Sequence, residues 1–239
     1  MKTSCFGVNF ETNHVLAPTM PEAWRDVMWL CVRNGYDYIV KQGSYVGQIR
    51  RQLPYVTIVI HEPWQRPLAP IMPEGSSISP PASEESIQDY FSGYLMNDEK
   101  QLKEQYTYGG YIVLQLPRII ELLKGSEGAT NQACITIGNA ESVKLSDPPC
   151  LKVVSFKVVD GRLAMTVYFR SWDLFCGLPV NLGGLQWLKE YVLQELQSAP
   201  SLKNLKDGEL IAFSDGLHIY EQYFSLVDQL NVDKISITQ

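Results

Sequence analysis

Residues 147–181 read DPPCLKVVSFKVVDGRLAMTVYFRSWDLFCGLPVN, and the fold follows from them. Two strand-like runs flank Asp160-Gly161, a favoured two-residue hairpin turn because both positions tolerate the left-handed backbone it needs. In the second run Leu163, Met165, Val167 and Phe169 alternate with Ala164, Thr166, Tyr168 and Arg170, the period of a strand with one buried face. Arg170 therefore leaves on the face opposite Phe169, at the end far from the turn. Cys150 enters the partner strand at that same end, so the hairpin alone brings a thiol and a guanidinium together. Ser171, Asp173 and Asn181 add a hydroxyl, a carboxylate and an amide close by. This set reads as a nucleotide site with a cysteine nucleophile.

A cysteine attacks as its thiolate, so it needs a cationic neighbour that lowers its pKa, and Arg170 meets that need. Pro148 and Pro149 stiffen the backbone just before the thiol. The competing reading of Cys150 is a buried core cysteine, the common fate of free cysteines. Arg170-Ser171 suits an anion, because a guanidinium fork and a hydroxyl both donate to phosphate oxygens. A lone arginine more often forms a surface salt bridge. Asn181 offers a donor and an acceptor to the amide-like edge of a pyrimidine, or else it N-caps the helix beyond it. Asp173 holds a ring or an ordered water, or caps a turn. His218 and Tyr220, at i and i+2 beyond a strand, point the same way if the backbone stays extended, and then suit sugar hydroxyls. Taken singly, each is a satisfied structural residue.

The chain has 239 residues, and a single domain over residues 1–239 is expected because the N-terminal part is too small to stand alone. Hydrophobic residues make up 45% and charged ones 19%, the balance of a soluble globular protein. A net charge of −6 argues against a broad nucleic-acid surface, though not against one anion pocket. Without a membrane-length apolar run or a signal pattern in residues 1–10, the cytoplasm is expected and no membrane partner. The five cysteines (Cys5, Cys31, Cys134, Cys150, Cys176) are scattered without a CxxC pair, and His14, His61 and His218 lie far apart. Neither a disulfide framework nor a metal site is expected.

Elsewhere, residues 1–16 read as a short strand or arm. Thr19 and Glu22 form a capping-box start to a helix carrying Trp24, Val27, Leu30 and Cys31, which Asn34-Gly35 stops. Residues 55–60 are a β-branched strand. Residues 62–83, rich in Pro and Ser, are expected to be an ordered loop lying on the body through Trp64, Leu68 and Ile71. Residues 86–96 are predicted helical, with Ile87, Tyr90, Phe91 and Tyr94 on one side, followed by a turn at 106–110. A helix over 118–124 is started or kinked by Pro117 and ended by Gly125. A strand over 133–137, an amphipathic helix over 184–196, a strand over 210–213 and a last helix with Tyr223, Phe224, Val227 and Leu230 complete the pattern. The mixture is α+β with a mostly antiparallel sheet.

Taken in order, TYGG (107–110), PPC (148–150), YFRSWD (168–173), GLPVN (177–181) and DGLHIY (215–220) resemble the thymidylate synthase family, most closely its shorter archaeal-type members. The resemblance implies an α+β homodimer, formed through a twisted sheet packed with helices. It implies a methyltransferase of dTMP biosynthesis that methylates C5 of dUMP. Its one-carbon carrier would be a reduced pterin, 5,10-methylene-tetrahydrofolate or a methanopterin-like analogue, with no metal and no nucleic acid. On this resemblance Cys150 falls on the nucleophile that adds to C6 of uracil, and Tyr108 on the tyrosine near the C5 proton. Arg170 and Ser171 fall on phosphate ligands, and Asp173 on the carboxylate near pterin and pyrimidine. Asn181 falls on the amide that reads uracil, and His218 and Tyr220 on ligands of the deoxyribose 3′-hydroxyl. Asp89 stands in for a glutamate that organises water.

The sequence also departs from that family. Two adjacent arginines that cross the dimer to the phosphate are replaced by Asn131-Gln132, with Arg50 or Arg51 as candidate substitutes. Leu151 replaces a common histidine, Phe169 a common glutamine, and residues 236–239 are not the usual apolar tail. Two alternatives accompany the methyltransferase reading. One is a pyrimidine nucleotide 5-hydroxymethylase, in which water quenches the one-carbon adduct. The other is a non-catalytic nucleotide-binding homologue, which the missing arginines favour and the retained Cys150, Arg170, Asp173 and Asn181 oppose.

Overall fold

A computed structural model describes residues 13–100, 102 and 104–237. Cys5, most of the expected N-terminal arm and the last two residues of the chain lie outside the described residues. Strand β1 (His14–Ala17) leads into helix α1 (Met20–Asn34), followed by β2 (Tyr36–Ile39), β3 (Ile49–Gln52) and β4 (Val56–Ile60). The proline-rich loop then reaches α2 (Glu84–Tyr90), which runs into a π-helical turn (Phe91–Leu95). Next come α3 (Gly109–Gly125), β5 (Cys134–Thr136), β6 (Leu151–Val159), β7 (Arg162–Phe169) and the two-residue β8 (Trp172–Asp173). Helix α4 (Gly177–Gln197), β9 (Lys206–Ser214), β10 (Leu217–Tyr220) and α5 (Phe224–Ile237) end the fold.

The predicted hairpin is β6–β7, with Phe156 opposite Met165 and Leu151 opposite Phe169. Asp160 (φ 48°) and Gly161 (φ 70°) both take the left-handed conformation, so the turn twists with its strands. The hairpin sits in a six-stranded sheet of order β1-β4-β9-β7-β6-β5, beside a four-stranded sheet of order β2-β3-β10-β8. The β1–β4, β7–β9 and β8–β10 pairings are parallel and the rest antiparallel, so the fold is α+β with mixed sheets.

Alternation gives the large sheet two unlike faces. Ile58, Ile60, Phe156, Met165, Val167 and Leu210 are fully buried in a core that includes residues of α1, α3 and α4. On the other face one continuous row runs Leu16, Val59, Ile211, Thr166 through paired strands, and a second joins Phe213 to Tyr168. Leu16 is 59% exposed and Phe213 37%, so this partly apolar face is incompletely covered among the described residues.

Several predicted boundaries shift. Helix α4 starts at Gly177 rather than 184, because Pro179 in its first turn removes only an N–H that has no helical partner. Asn181 is therefore inside the helix and does not cap it. Helix α3 starts at Gly109, with Pro117 in its interior rather than at its start. At α1 the Thr19 hydroxyl donates to the Glu22 carboxylate (2.9 Å) instead of accepting a backbone N–H, so the capping box does not form. The predicted stop at Gly35 holds without a left-handed residue (φ −68°). Helix α2 begins at the Ser83 cap, which exchanges hydrogen bonds with Ser86. In the proline-rich loop Leu68 and Ile78 are buried, and the N–H groups of Leu68 and Ala69 both donate to Glu84 (2.7 Å each). Ile71 is 64% exposed and does not anchor that loop. Among the described residues no helix is long and apolar enough to cross a membrane.

Candidate active site

Cys150 stands just before β6 and Arg170 just after β7. The Arg170 N–H donates to the Cys150 carbonyl (2.9 Å), closing the hairpin end where the two residues were expected to meet. Arg170 then folds its guanidinium over the PPC turn. Its Nε donates to the Pro149 carbonyl (3.1 Å), one Nη donates to the Pro148 carbonyl, and the same Nη lies 3.6 Å from Asp147. Burial pushes the Cys150 thiol above its ordinary pKa. Arg170 is the strongest pull in the other direction, followed by Lys152 and Arg50, while Asp147 pushes upward. The resting sulfur is a protonated thiol in a cationic surround.

Tyr108, at the N-terminal end of α3, accepts the Leu151 N–H (3.1 Å) beside the thiol. Tyr94 meets Tyr108 edge-on at 5.1 Å, Tyr106 lies 5.8 Å from Tyr108, and Tyr90 stacks on Tyr94 at 5.5 Å. Burial pushes all four phenols up, Tyr94 to about 12, so they stay protonated hydrogen-bond donors.

Asp173 uses its carboxylate at the start of α4, accepting from the N–H groups of Phe175 (3.0 Å) and Gly177 (3.2 Å). Burial still raises its pKa above the usual carboxylate value, against these bonds, a third from Cys176 and the charge of Arg50. Asn181 accepts the Trp172 indole N–H (2.9 Å), and Trp172 lies flat on Phe169 with centroids 4.1 Å apart. Ser171 is half-buried between Arg170 and Trp172. Gly216 lets the DGLHIY turn lie against this strand end, since a Cβ there would sit 2.3 Å from the Arg170 carbonyl.

On β10 the backbone is extended, as the i, i+2 reading required. His218 is 2% exposed and its Nδ1–H donates to the Gly216 carbonyl (2.8 Å), which leaves Nε2 as the acceptor. That Nε2 is buried with no hydrogen-bond partner among the described residues. Burial lowers the imidazole pKa to about 4, so the ring is neutral at neutral pH. Tyr220 lies edge-on to His218 at 4.8 Å.

Strand β3 pairs with β10 and sets Arg50 opposite Tyr220, hence on the His218–Tyr220 face. The Arg50 guanidinium lies 4.9 Å over the Tyr220 ring, its Nη2 donates to the Ser44 carbonyl (3.0 Å), and its Nε is buried without a partner. Arg51 points the other way, into an ion pair with Asp37 (2.8 Å) and over Phe224. Of the two candidate arginines only Arg50 joins the cluster. Lys152, overlooked in the sequence, joins it as well, two residues beyond the thiol.

Asp89 does not belong to the site. It is exposed on α2, while its neighbour Tyr90 turns inward and packs on Gly184, where a Cβ would lie 2.5 Å from the Tyr90 ring. The helical period had already placed Tyr90 with Ile87 and Tyr94 on the apolar side. Asn131 accepts from Lys157 (3.0 Å). A separate cavity of about 850 Å³, lined by Thr19, Trp29, Arg66 and Leu230 among others, contains none of the assigned residues. Among the described residues no three His, Cys, Asp or Glu side chains are grouped to hold a metal ion.

Residues 94–235 match the family model described as "Thymidylate synthase". A protein of Methanosarcina barkeri described as "Putative thymidylate synthase" is 25% identical over 228 residues, covering 92% of this chain and 96% of the relative. One of Methanothermobacter marburgensis with the same description is 30% identical over 147 residues, covering 59% of this chain and 62% of that relative. The family match takes in Tyr108, Cys150, Arg170, Asp173, Asn181, His218 and Tyr220 and spans more than half of the sequence, so the chain belongs to the thymidylate synthase family.

Proposed function

We propose that this protein transfers a one-carbon unit to C5 of dUMP or a close analogue, using Cys150 as a covalent nucleophile at C6. The observation that supports it most is the Cys150 thiol held at one strand end with Arg170, within electrostatic reach of Lys152 and Arg50, where Tyr108 bonds the next backbone N–H. In the addition step the thiol loses its proton and the sulfur forms a bond to C6. The C5–C6 π electrons then move toward C5 and the C4 oxygen, making C5 nucleophilic. Tyr108 is held protonated and serves as a hydrogen-bond group near the C5 proton rather than as a strong base. Arg170, Ser171 and Arg50 hold the phosphate, supplying in this chain the charge that Asn131-Gln132 lack. His218 accepts from the 3′-hydroxyl through its unpaired Nε2, and Tyr220 shares that hydroxyl.

A reduced pterin fits the donor set in one respect. Asp173 is raised by burial while its backbone bonds use only some of its lone pairs, leaving acceptor capacity for a ring N–H or amino group. When bound, the pterin supplies the one-carbon unit and, for methylation, the reducing hydride. A second copy of this chain covers the open sheet face, in keeping with its row of Leu16, Val59 and Ile211 and its exposed Phe213.

The test is thiol-dependent debromination of 5-bromo-dUMP, which requires only attack at C6, comparing the protein with Cys150→Ser. Activity in the first and none in the second is expected. Nucleotide binding without debromination would refute the transfer reading in favour of a non-catalytic binder. Product analysis with a pterin donor then separates a 5-methyl from a 5-hydroxymethyl nucleotide.

A further inference from the structure

Two side chains not used above bracket the only amide of the site. Trp172 is a donor only, and its indole N–H bonds to Asn181 Oδ1 at 2.9 Å. Turning the amide over would set its NH2 against that N–H, donor against donor, so the indole decides which end is which. The carbonyl is held at Trp172, and the NH2 end is left for Tyr90 and the space around Cys150. The Tyr90 hydroxyl is buried and, among the described residues, makes no hydrogen bond of good geometry. It lies within hydrogen-bonding reach of the Asn181 amide and within electrostatic reach of the Cys150 sulfur. Both side chains are rigidly backed. Trp172 lies on Phe169 with ring planes 8° apart, and Tyr90 is seated on the missing side chain of Gly184.

We infer that Trp172 and Tyr90 set the choice of pyrimidine: with Asn181 they turn two donors, the amide NH2 and the phenol O–H, toward the C4 edge of the base, so the site takes a 4-oxo pyrimidine and rejects a 4-amino one. The inference rests on the proposed function, which puts a pyrimidine nucleotide at Cys150. A C4 oxygen accepts from both groups. A C4 amino group offers only N–H donors and leaves the buried protein donors unpaired. Trp172 acts as a positioning residue, through Asn181, and Tyr90 as a contact. Phe169, where the family commonly has glutamine, is the platform that keeps the indole in place.

The experiment is calorimetric binding of dUMP and dCMP to the full chain and to the variants W172F and Y90F. The unmodified protein is expected to prefer dUMP by at least about tenfold. W172F keeps a ring on Phe169 but removes the N–H, so the amide is free to turn over. The dUMP-to-dCMP preference then falls by roughly tenfold, and dCMP binds more tightly than before. Y90F loses one donor, and the preference falls several-fold through weaker dUMP binding. Should W172F fail to fold, Y90F, which lacks a single oxygen, still decides the matter. A preference within about twofold of the unmodified protein in the folded variants overturns the inference, including the case where both nucleotides weaken together. Equal binding of dUMP and dCMP by the unmodified protein overturns the inference alone, whereas binding of neither overturns the proposed function along with it.

Discussion

His218 gives the sharpest test of the site's electrostatics. The ring is 2% exposed, bonded through Nδ1–H to Gly216, and its pKa is lowered by burial to about 4 from an ordinary 6.5. The unfolded chain takes up a proton near pH 6.5, whereas the folded chain resists until about pH 4. Across that window the unfolded state binds more protons, so stability is intact above it and falls as the pH drops through it. The full gap corresponds to about 3 kcal/mol, at roughly 1.4 kcal/mol per pH unit. Between about pH 7.5 and about pH 5.5 the His218 share is about 1.4 kcal/mol. Other groups titrate as well, so the measurement is a difference. Urea unfolding, followed by tryptophan fluorescence at both pH values, is compared between the protein and His218→Gln, which keeps a donor for Gly216 but does not titrate. The unmodified protein should lose about 1.4 kcal/mol more than the variant on acidification. Equal losses, or a greater loss in the variant, would mean that His218 ionises freely in the fold and that its Nε2 is not a preformed acceptor.

Three further outcomes follow from the same geometry. Because burial outweighs the cations at Cys150, iodoacetamide should modify it more slowly than a free thiol at about pH 8, with the rate still rising at higher pH, and Arg170→Gln should slow it further; peptide mass spectrometry reads this, and a rate equal to a free thiol's contradicts it. Arg50→Gln should weaken dUMP about tenfold or more relative to deoxyuridine, since only the nucleotide carries the phosphate; an unchanged ratio would remove Arg50 from the phosphate site. Lys189 is fully buried and pairs with the partly buried Asp207 at 2.8 Å, so Lys189→Met should cost about 3 kcal/mol in urea unfolding by leaving that carboxylate without its cation; a loss below about 1 kcal/mol would show that Gln186 and the Gly208 N–H suffice for Asp207.

What was legible in the sequence was local. Asp160-Gly161 and the period-two run fix the register of β6 on β7, and that register alone puts Cys150 beside Arg170. His218 and Tyr220 share a face for the same reason. What was not legible depends on pairings between distant segments. Nothing in residues 49–52 says that Arg50 will lie opposite Tyr220, because β3 and β10 meet only in the four-stranded sheet. The start of α4 was missed because the apolar stripe begins only at Leu185, although a proline in a first turn breaks no helical bond and lets the helix begin at Gly177. Asp89 was named from the family resemblance, whereas the helical period put Tyr90 on the apolar side. The π-helical turn and the packing on Gly184 settle that competition for Tyr90.

Arg170 explains why the hairpin end is built as it is. A guanidinium has five N–H donors in a fixed plane, and here Nε and one Nη are engaged by the Pro149 and Pro148 carbonyls. Those carbonyls belong to residues preceding a thiol whose own carbonyl accepts the Arg170 N–H. Neither proline has an N–H to donate, so side-chain donation to their carbonyls helps to fix this turn. The same side chain therefore holds the backbone that presents Cys150 and lowers the thiol pKa against burial. A lysine at this position would keep the charge but lose the planar fork, and with it the grip on both proline carbonyls. One residue thus contributes to both position and charge at Cys150, and the alternation of β7 delivers it there as the first side chain beyond the strand.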